Sequence, residues 1–230
     1  MNLEREALSG LARQPRLWWL SLFGYAGLAA LIYGWFWIPD ERVWQVVFSG
    51  VAAVAVVAAV VWVEGSILSR LVGARLCWWR VLAWLAVAAL FVALTAWVAG
   101  CGERFSIWLA SRLTMTIRKP ISPHGVGWVF STLWTLVLVG GAALLVPFAT
   151  RGFAEAWRVC RKLAWWLDAV VVLVAGFYLP WKLVHWSPEI GGLITQTASM
   201  VVRFALAWAM VVTAWLLLHS LATLHARAEP

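Results

Sequence analysis

The sequence predicts an all-α polytopic membrane protein: six transmembrane helices arranged as three helical hairpins, with an interfacial amphipathic helix on the outer side. Three observations carry this. Of 230 residues, 64% are hydrophobic and 12% charged, a balance that no water-soluble core of this size needs. The apolar residues form six runs of about the 20 residues required to cross roughly 30 Å of hydrocarbon at about 1.5 Å per residue. The chain also holds 20 tryptophans, most of them close to the ends of those runs, where an indole keeps its ring at the hydrocarbon edge and its N–H near headgroups and water.

Residues 1–16 are expected as a cytoplasmic amphipathic segment, in which Leu3, Ala7, Leu8 and Leu11 make one apolar face for the membrane surface. A single membrane domain, 17–219, follows. Its first span, 17–38, enters behind Arg16 with Trp18 and Trp19 and leaves through "YGWFWIP", which contains Trp35 and Trp37. That exit is no small-residue cleavage site and the apolar run is too long for a signal peptide, so the span is expected to persist. The second span, 43–63, lies between Trp44 and Trp62, and the third, 81–99, between the pair Trp78 and Trp79 and the single Trp97.

In the connection after the third span, Phe105, Trp108, Leu109, Leu113 and Thr116 recur at helical spacing opposite Arg104, Ser111 and Arg118. This predicts the interfacial helix at about 103–118. The fourth span is 126–148. The fifth, 164–182, enters with Trp165 and Trp166, is interrupted by Pro180 and exits at Trp186; the sixth is 199–219, and 220–230 form a cytoplasmic tail. Trp18 to Trp37, Trp44 to Trp62, Trp79 to Trp97 and Trp166 to Trp186 are separated by 19, 18, 18 and 20 residues, or about 27 to 30 Å along a helix, the hydrocarbon thickness.

The formal charge of +8 does not point to nucleic acid, because the basic residues sit in short connections between spans. They report orientation. Eleven Lys and Arg fall on the amino-terminal side against seven on the other, so both termini are cytoplasmic by the positive-inside rule. Arginine dominates the cations and Asn2 is the one asparagine, as GC-rich coding would produce; with the composition, this places the chain in a bacterial cytoplasmic (inner) membrane. Cys77, Cys101 and Cys160 have no paired spacing and signal neither disulfide nor zinc.

Arginine followed by a tryptophan pair recurs at "RLWWL", "RLCWWR" and "RKLAWWL", and the exits "WFWIPDE" and "VHWSPE" resemble one another, as three duplicated hairpins would. Small residues collect in the even spans: Ala52, Ala55 and Ala59 in the second, Gly140 and Gly141 in the fourth, and Ala205, Ala209 and Thr213 in the sixth. Such residues let helix backbones approach closely in lipid, and these are the expected packing positions. Trp134, Trp208 and Trp215 lie inside spans and are expected to pack between helices.

An ionisable side chain within lipid marks function by default. Here each has a plainer reading: Glu64 ends the second span, His219 ends the sixth, Asp168 can reach cytoplasmic water or Arg161 and Lys162 near the boundary, and Arg203 snorkels. His124 and His185 stand at the outer boundary in turn-like contexts; with His219 they are the weak candidates for haem or chlorophyll, and no cofactor or metal is expected. No phosphate loop, HExxH helix or nucleophile elbow occurs, so no catalytic site is expected. The expected function is that of a structural or accessory subunit of a membrane complex, with lipids and other membrane chains as partners. A small-solute or lipid transporter and a haem- or chlorophyll-binding subunit are the alternatives.

Overall fold

The structure, a computed structural model, describes residues 2–39, 41–73, 77–186 and 191–227. Every regular element among the described residues is helical, and six helical stretches are long and apolar enough to cross a membrane. In chain order these are α1 (Asn2–Ala12), α2 (Pro15–Phe36), α3 (Val43–Val72), α4 (Trp78–Ile117), α5 (Pro123–Ala143), α6 (Leu145–Arg151), α7 (Phe153–Cys160), α8 (Leu163–Leu173), a π-helical turn (Val174–Tyr178), α9 (Leu179–His185) and α10 (Leu193–Arg227). Asp40 and Glu189 of the two similar exits, and Arg75 of the second Arg-Trp-Trp entry, lie outside the described residues.

Four boundaries differ from the sequence expectation. The third span and the interfacial helix are one uninterrupted helix, α4, whose 40 residues extend about 60 Å, twice the hydrocarbon thickness. Gly100 and Gly102 do not break it, since a helical glycine costs only about 1 kcal/mol and no proline intervenes. Helix α3 runs past Glu64 to Val72, and α10 runs past His219 to Arg227, taking up most of the expected tail. The expected fourth span is divided at Leu144 into α5 and α6. Pro147 supplies the reason: it has no N–H to bond the carbonyl of Ala143, and its ring crowds that carbonyl.

Pro180 acts in the same way on the fifth span. The carbonyl it cannot bond belongs to Gly176, and the chain widens there into the π-helical turn before α9 resumes. Gly176 also lies directly against Ala214 of α10, where a Cβ would overlap the Ala214 methyl. Close approach, not conformational freedom, is what fixes glycine here.

Helix α3 runs antiparallel to α2, with Trp35 beside Ser49 and Tyr25 beside Glu64. Helix α5 returns along α4, with Trp84 beside Ala142 and Trp134 beside Thr95. Helices α8 and α9 return along α10, with Asp168 beside His225 and Gly176 beside Ala214. Helix α1 lies on the end of α10, where Ala7 is buried in one cluster with Ala222 and Ala226. That end of the bundle is the α1 end.

Packing is uneven along the bundle. Its three core clusters draw on the α1-side parts of the spans, on α6 and α7, and on the last turns of α10: Leu17, Val63 and Ile67 with Leu216; Leu68 and Val81 with Val146; Val159, Trp165 and Ala169 with Leu218. Toward the far end the side chains of 193–206 in α10 are exposed apart from the half-buried Ser199 and Arg203, and Val43, Val47, Val51 and Val54 of α3 are likewise exposed.

Gly176→Val is expected to lower the thermal stability of the detergent-solubilised protein by about 1–3 kcal/mol, the usual cost of overpacking. Ala214→Gly in the same chain should restore part of the loss. Strict additivity of the two changes would show that the helices do not meet there.

Candidate functional site

In each tryptophan pair the two rings diverge, because neighbouring helix positions point about 100° apart. Trp18 turns inward while Trp19 is exposed and stacks on Phe23. Trp78 lies over Gly65 of α3, whereas Trp79 is 80% exposed. Trp165, expected at the lipid boundary, is instead fully buried against His225, the two rings edge to face; Trp166 packs over Gly140, where an added Cβ would stand 2.8 Å from its ring, and donates to the Cys160 carbonyl at 2.7 Å. Arg16 and Trp37, Trp44, Trp62, Trp97 and Trp186 are exposed.

The inward indoles donate hydrogen bonds between helices. Trp18 Nε1 donates to Thr213 Oγ1 at 2.9 Å and Trp208 Nε1 to the Leu22 carbonyl at 3.3 Å, so α2 and α10 are tied from both sides. Trp35 Nε1 donates to Ser49 at 3.0 Å. Trp84 and Trp134 tie α4 and α5 reciprocally, to the Ala142 carbonyl at 3.3 Å and to Thr95 Oγ1 at 2.9 Å. Of the small residues, Gly140 and Thr213 make these contacts, Ala59 packs on α2, and the Ala209 carbonyl accepts the Thr213 hydroxyl. Ala52 is half-buried, Ala55 and Ala205 are exposed, and Gly141 lines an apolar cavity.

Buried polar groups gather in the well-packed half. Glu64, expected at a helix end, lies within α3 and is 9% exposed. Its Oε1 accepts the Tyr25 hydroxyl at 3.1 Å, its Oε2 is buried without a hydrogen-bond partner, and the Trp215 indole stands beside both residues. One turn along α10, His219 is 1% exposed. Its Nδ1 donates to the Trp215 carbonyl at 2.8 Å, which leaves the lone pair on Nε2, and Nε2 too is buried and unpartnered. The Trp215 and His219 rings meet edge to face with centroids 4.5 Å apart. Another turn on, Thr223 bonds the His219 carbonyl and lines a polar cavity of about 280 Å³ at the α1 end, together with Glu6, Arg13, Ser220 and Arg227.

Asp168 does not pair with Arg161 or Lys162 as expected. Its Oδ2 meets His225 Nε2 at 2.7 Å, and Lys162 Nζ donates to the His225 carbonyl at 2.8 Å. His225 escaped the sequence reading because the last span was ended at His219; the apolar positions Leu218, Leu221 and Leu224 that continue the pattern were the available signal. His124 opens α5 and His185 closes α9, both exposed, and His185 Nδ1 bonds the Trp181 carbonyl of its own helix at 2.8 Å. Outside the spans, burial pushes the Cys160 thiol up from its ordinary range.

Chemically, the cluster offers a carboxyl with one oxygen engaged and one open, and an imidazole with an open ring nitrogen. Tyr25 and the Trp215 backbone orient them. Comparison with protein-family models, with curated proteins and with solved structures gives no match to this chain.

Tyr25→Phe removes the partner of Glu64 Oε1 and should cost about 1–3 kcal/mol of stability, the penalty of stranding a buried polar group. Glu64→Leu added to it should recover most of the loss, because both polar partners are then gone. Thermal unfolding of the two variants decides this, and a double variant less stable than Tyr25→Phe would show that the pair is not coupled.

Proposed function

We propose that the chain is a structural or accessory subunit of a bacterial inner-membrane complex, built as three hairpins with both termini cytoplasmic and without catalytic chemistry of its own. The uneven packing is the observation that supports it. A helix bundle that completes its core at one end and leaves most side chains on the far parts of α3 and α10 exposed, Val47, Val51 and Val54 and Val201, Val202 and Phe204 among them, offers those helices to neighbours in the bilayer. Without a hydrophobic drive between helices in lipid, close packing against another chain is what such surfaces contribute.

A second reading, a carrier of protons or small solutes, is favoured by Glu64. A carboxyl with an open oxygen inside a span is costly unless it is used, and His219 and Thr223 line up from it toward the polar cavity at the α1 end.

Pull-down from the native membrane in mild detergent, followed by native mass spectrometry, should return this chain with companion membrane chains; a lone monomer in every mild detergent would refute the subunit reading, while proton or solute flux into liposomes holding the pure protein would establish the second. Orientation is checked by thiol labelling. A membrane-impermeant maleimide added to intact spheroplasts should reach Cys101 and should reach Cys77 only after lysis, with Cys160, partly buried and slow to ionise, reacting last. Labelling of Cys77 in intact spheroplasts would reverse the topology.

A further inference from the structure

We infer that Arg13, Arg16 and Arg70 form a binding site for a phosphate ester, with the headgroup of an anionic phospholipid and a free phosphate as the two sources of that chemistry. Arg13 and Arg16 stand three residues apart across the link from α1 to α2, and Arg70 comes from the last turn of α3. The fold brings them around one cavity of about 400 Å³, whose remaining lining is Gln14, Pro15 and Leu17. No acidic residue among the described residues lines it; Glu6 lines the adjoining polar cavity, which shares Arg13. None of the three guanidiniums has an ion pair among the described residues.

Like charges that line one cavity repel one another, and among the described residues no carboxylate is paired with them. An arginine fork is also the side chain best matched to phosphate oxygens, through paired N–H donors. A phosphate placed among the three neutralises the cluster and accepts from all of it.

The surface next to the cavity favours a ligand with an apolar tail. On α2, Arg16, Trp19 and Phe23 lie within about 60° of one another around the helix axis, and the Trp19 and Phe23 rings stack at 5.7 Å, both well exposed. This stripe points away from the bundle, since Trp18 and Leu22 face α10 and Gly24 faces Val63 of α3. Charge at the rim followed by a flat apolar track into the hydrocarbon is the order of groups along a phospholipid: ester phosphate first, acyl chain after.

The test uses the full chain, delipidated in a neutral detergent. Native mass spectrometry is run after adding phosphatidylglycerol, phosphatidylcholine or inorganic phosphate alone, on the wild type, on Arg13→Gln/Arg16→Gln/Arg70→Gln and on the corresponding triple lysine variant. The wild type should retain phosphatidylglycerol in preference to phosphatidylcholine, and the triple glutamine variant should bind it about a hundredfold more weakly while keeping its helical circular dichroism. The lysine variant, with its charge intact, should recover much of the binding. Phosphatidylglycerol retained with no response to inorganic phosphate assigns the site to the lipid headgroup; phosphate binding that is lost in the glutamine variant, with no lipid preference, assigns it to a free phosphate. Equal retention of both lipids with no phosphate binding, or unchanged binding by a folded glutamine variant, overturns the inference. The aromatic track is checked separately: Trp19→Ala/Phe23→Ala should weaken lipid binding and leave inorganic phosphate binding as it was, and a variant that binds lipid like the wild type overturns the part of the inference that gives the ligand a tail.

Discussion

An indole N–H inside a hydrocarbon layer has no water to bond and must find an acceptor within the protein. Much of this architecture follows from that requirement. Trp18 and Trp208 satisfy it between α2 and α10, Trp35 between α2 and α3, and Trp84 and Trp134 between α4 and α5. Each bond is worth only about 1 kcal/mol, but each also fixes the height of one helix against another, because the acceptor is a particular carbonyl or hydroxyl. Apolar contacts tolerate sliding along the axis. A donor that must reach Thr213 or the Leu22 carbonyl does not.

The same requirement explains where polar side chains are found. Threonine and serine supply acceptors for the indoles while donating to carbonyls of their own helices, as Thr213 does to Ala209. Glu64 and His219 obey the rule on one atom each and leave another atom open, and Trp165 keeps its N–H unpartnered within the core. These open atoms occur in the half of the bundle where packing is tightest, so they are not a consequence of loose structure. A bundle with its polar groups and its core together at one end is rigid there, and its far parts take their lateral order from whatever surrounds them.

How much of this was legible in the sequence depended on which physical signal carried it. Hydropathy located all six apolar stretches, since the need to cover about 30 Å with apolar side chains leaves little freedom. It misjudged their ends because it stops at the first costly residue, and Glu64 and His219 look costly until Tyr25 and the Trp215 carbonyl are seen beside them. Gly100 and Gly102 read as a connection, yet the helix passes through them. The tryptophan pairs were legible as entries to spans but not as pairs with opposite duties: Trp165 and Trp166 look alike in sequence, and only the helix phase against α10 buries the first. Partners distant along the chain, such as Asp168 and His225 or Arg70 and the two arginines of the first link, left no local pattern at all.

The π-helical turn at Val174–Tyr178 bears on how this span is read. A π turn takes in close to one residue more than an α turn. The buried face nevertheless continues from Trp165, Ala169 and Val172 through Gly176 to Pro180, while Trp181 and Lys182 point outward with the Lys182 ammonium 5.2 Å from the Trp181 ring centre. The wide turn thus absorbs the hydrogen bond that the proline cannot make while the span keeps one side against α10 along its whole length, so a kink in the ladder need not become a kink in the packing.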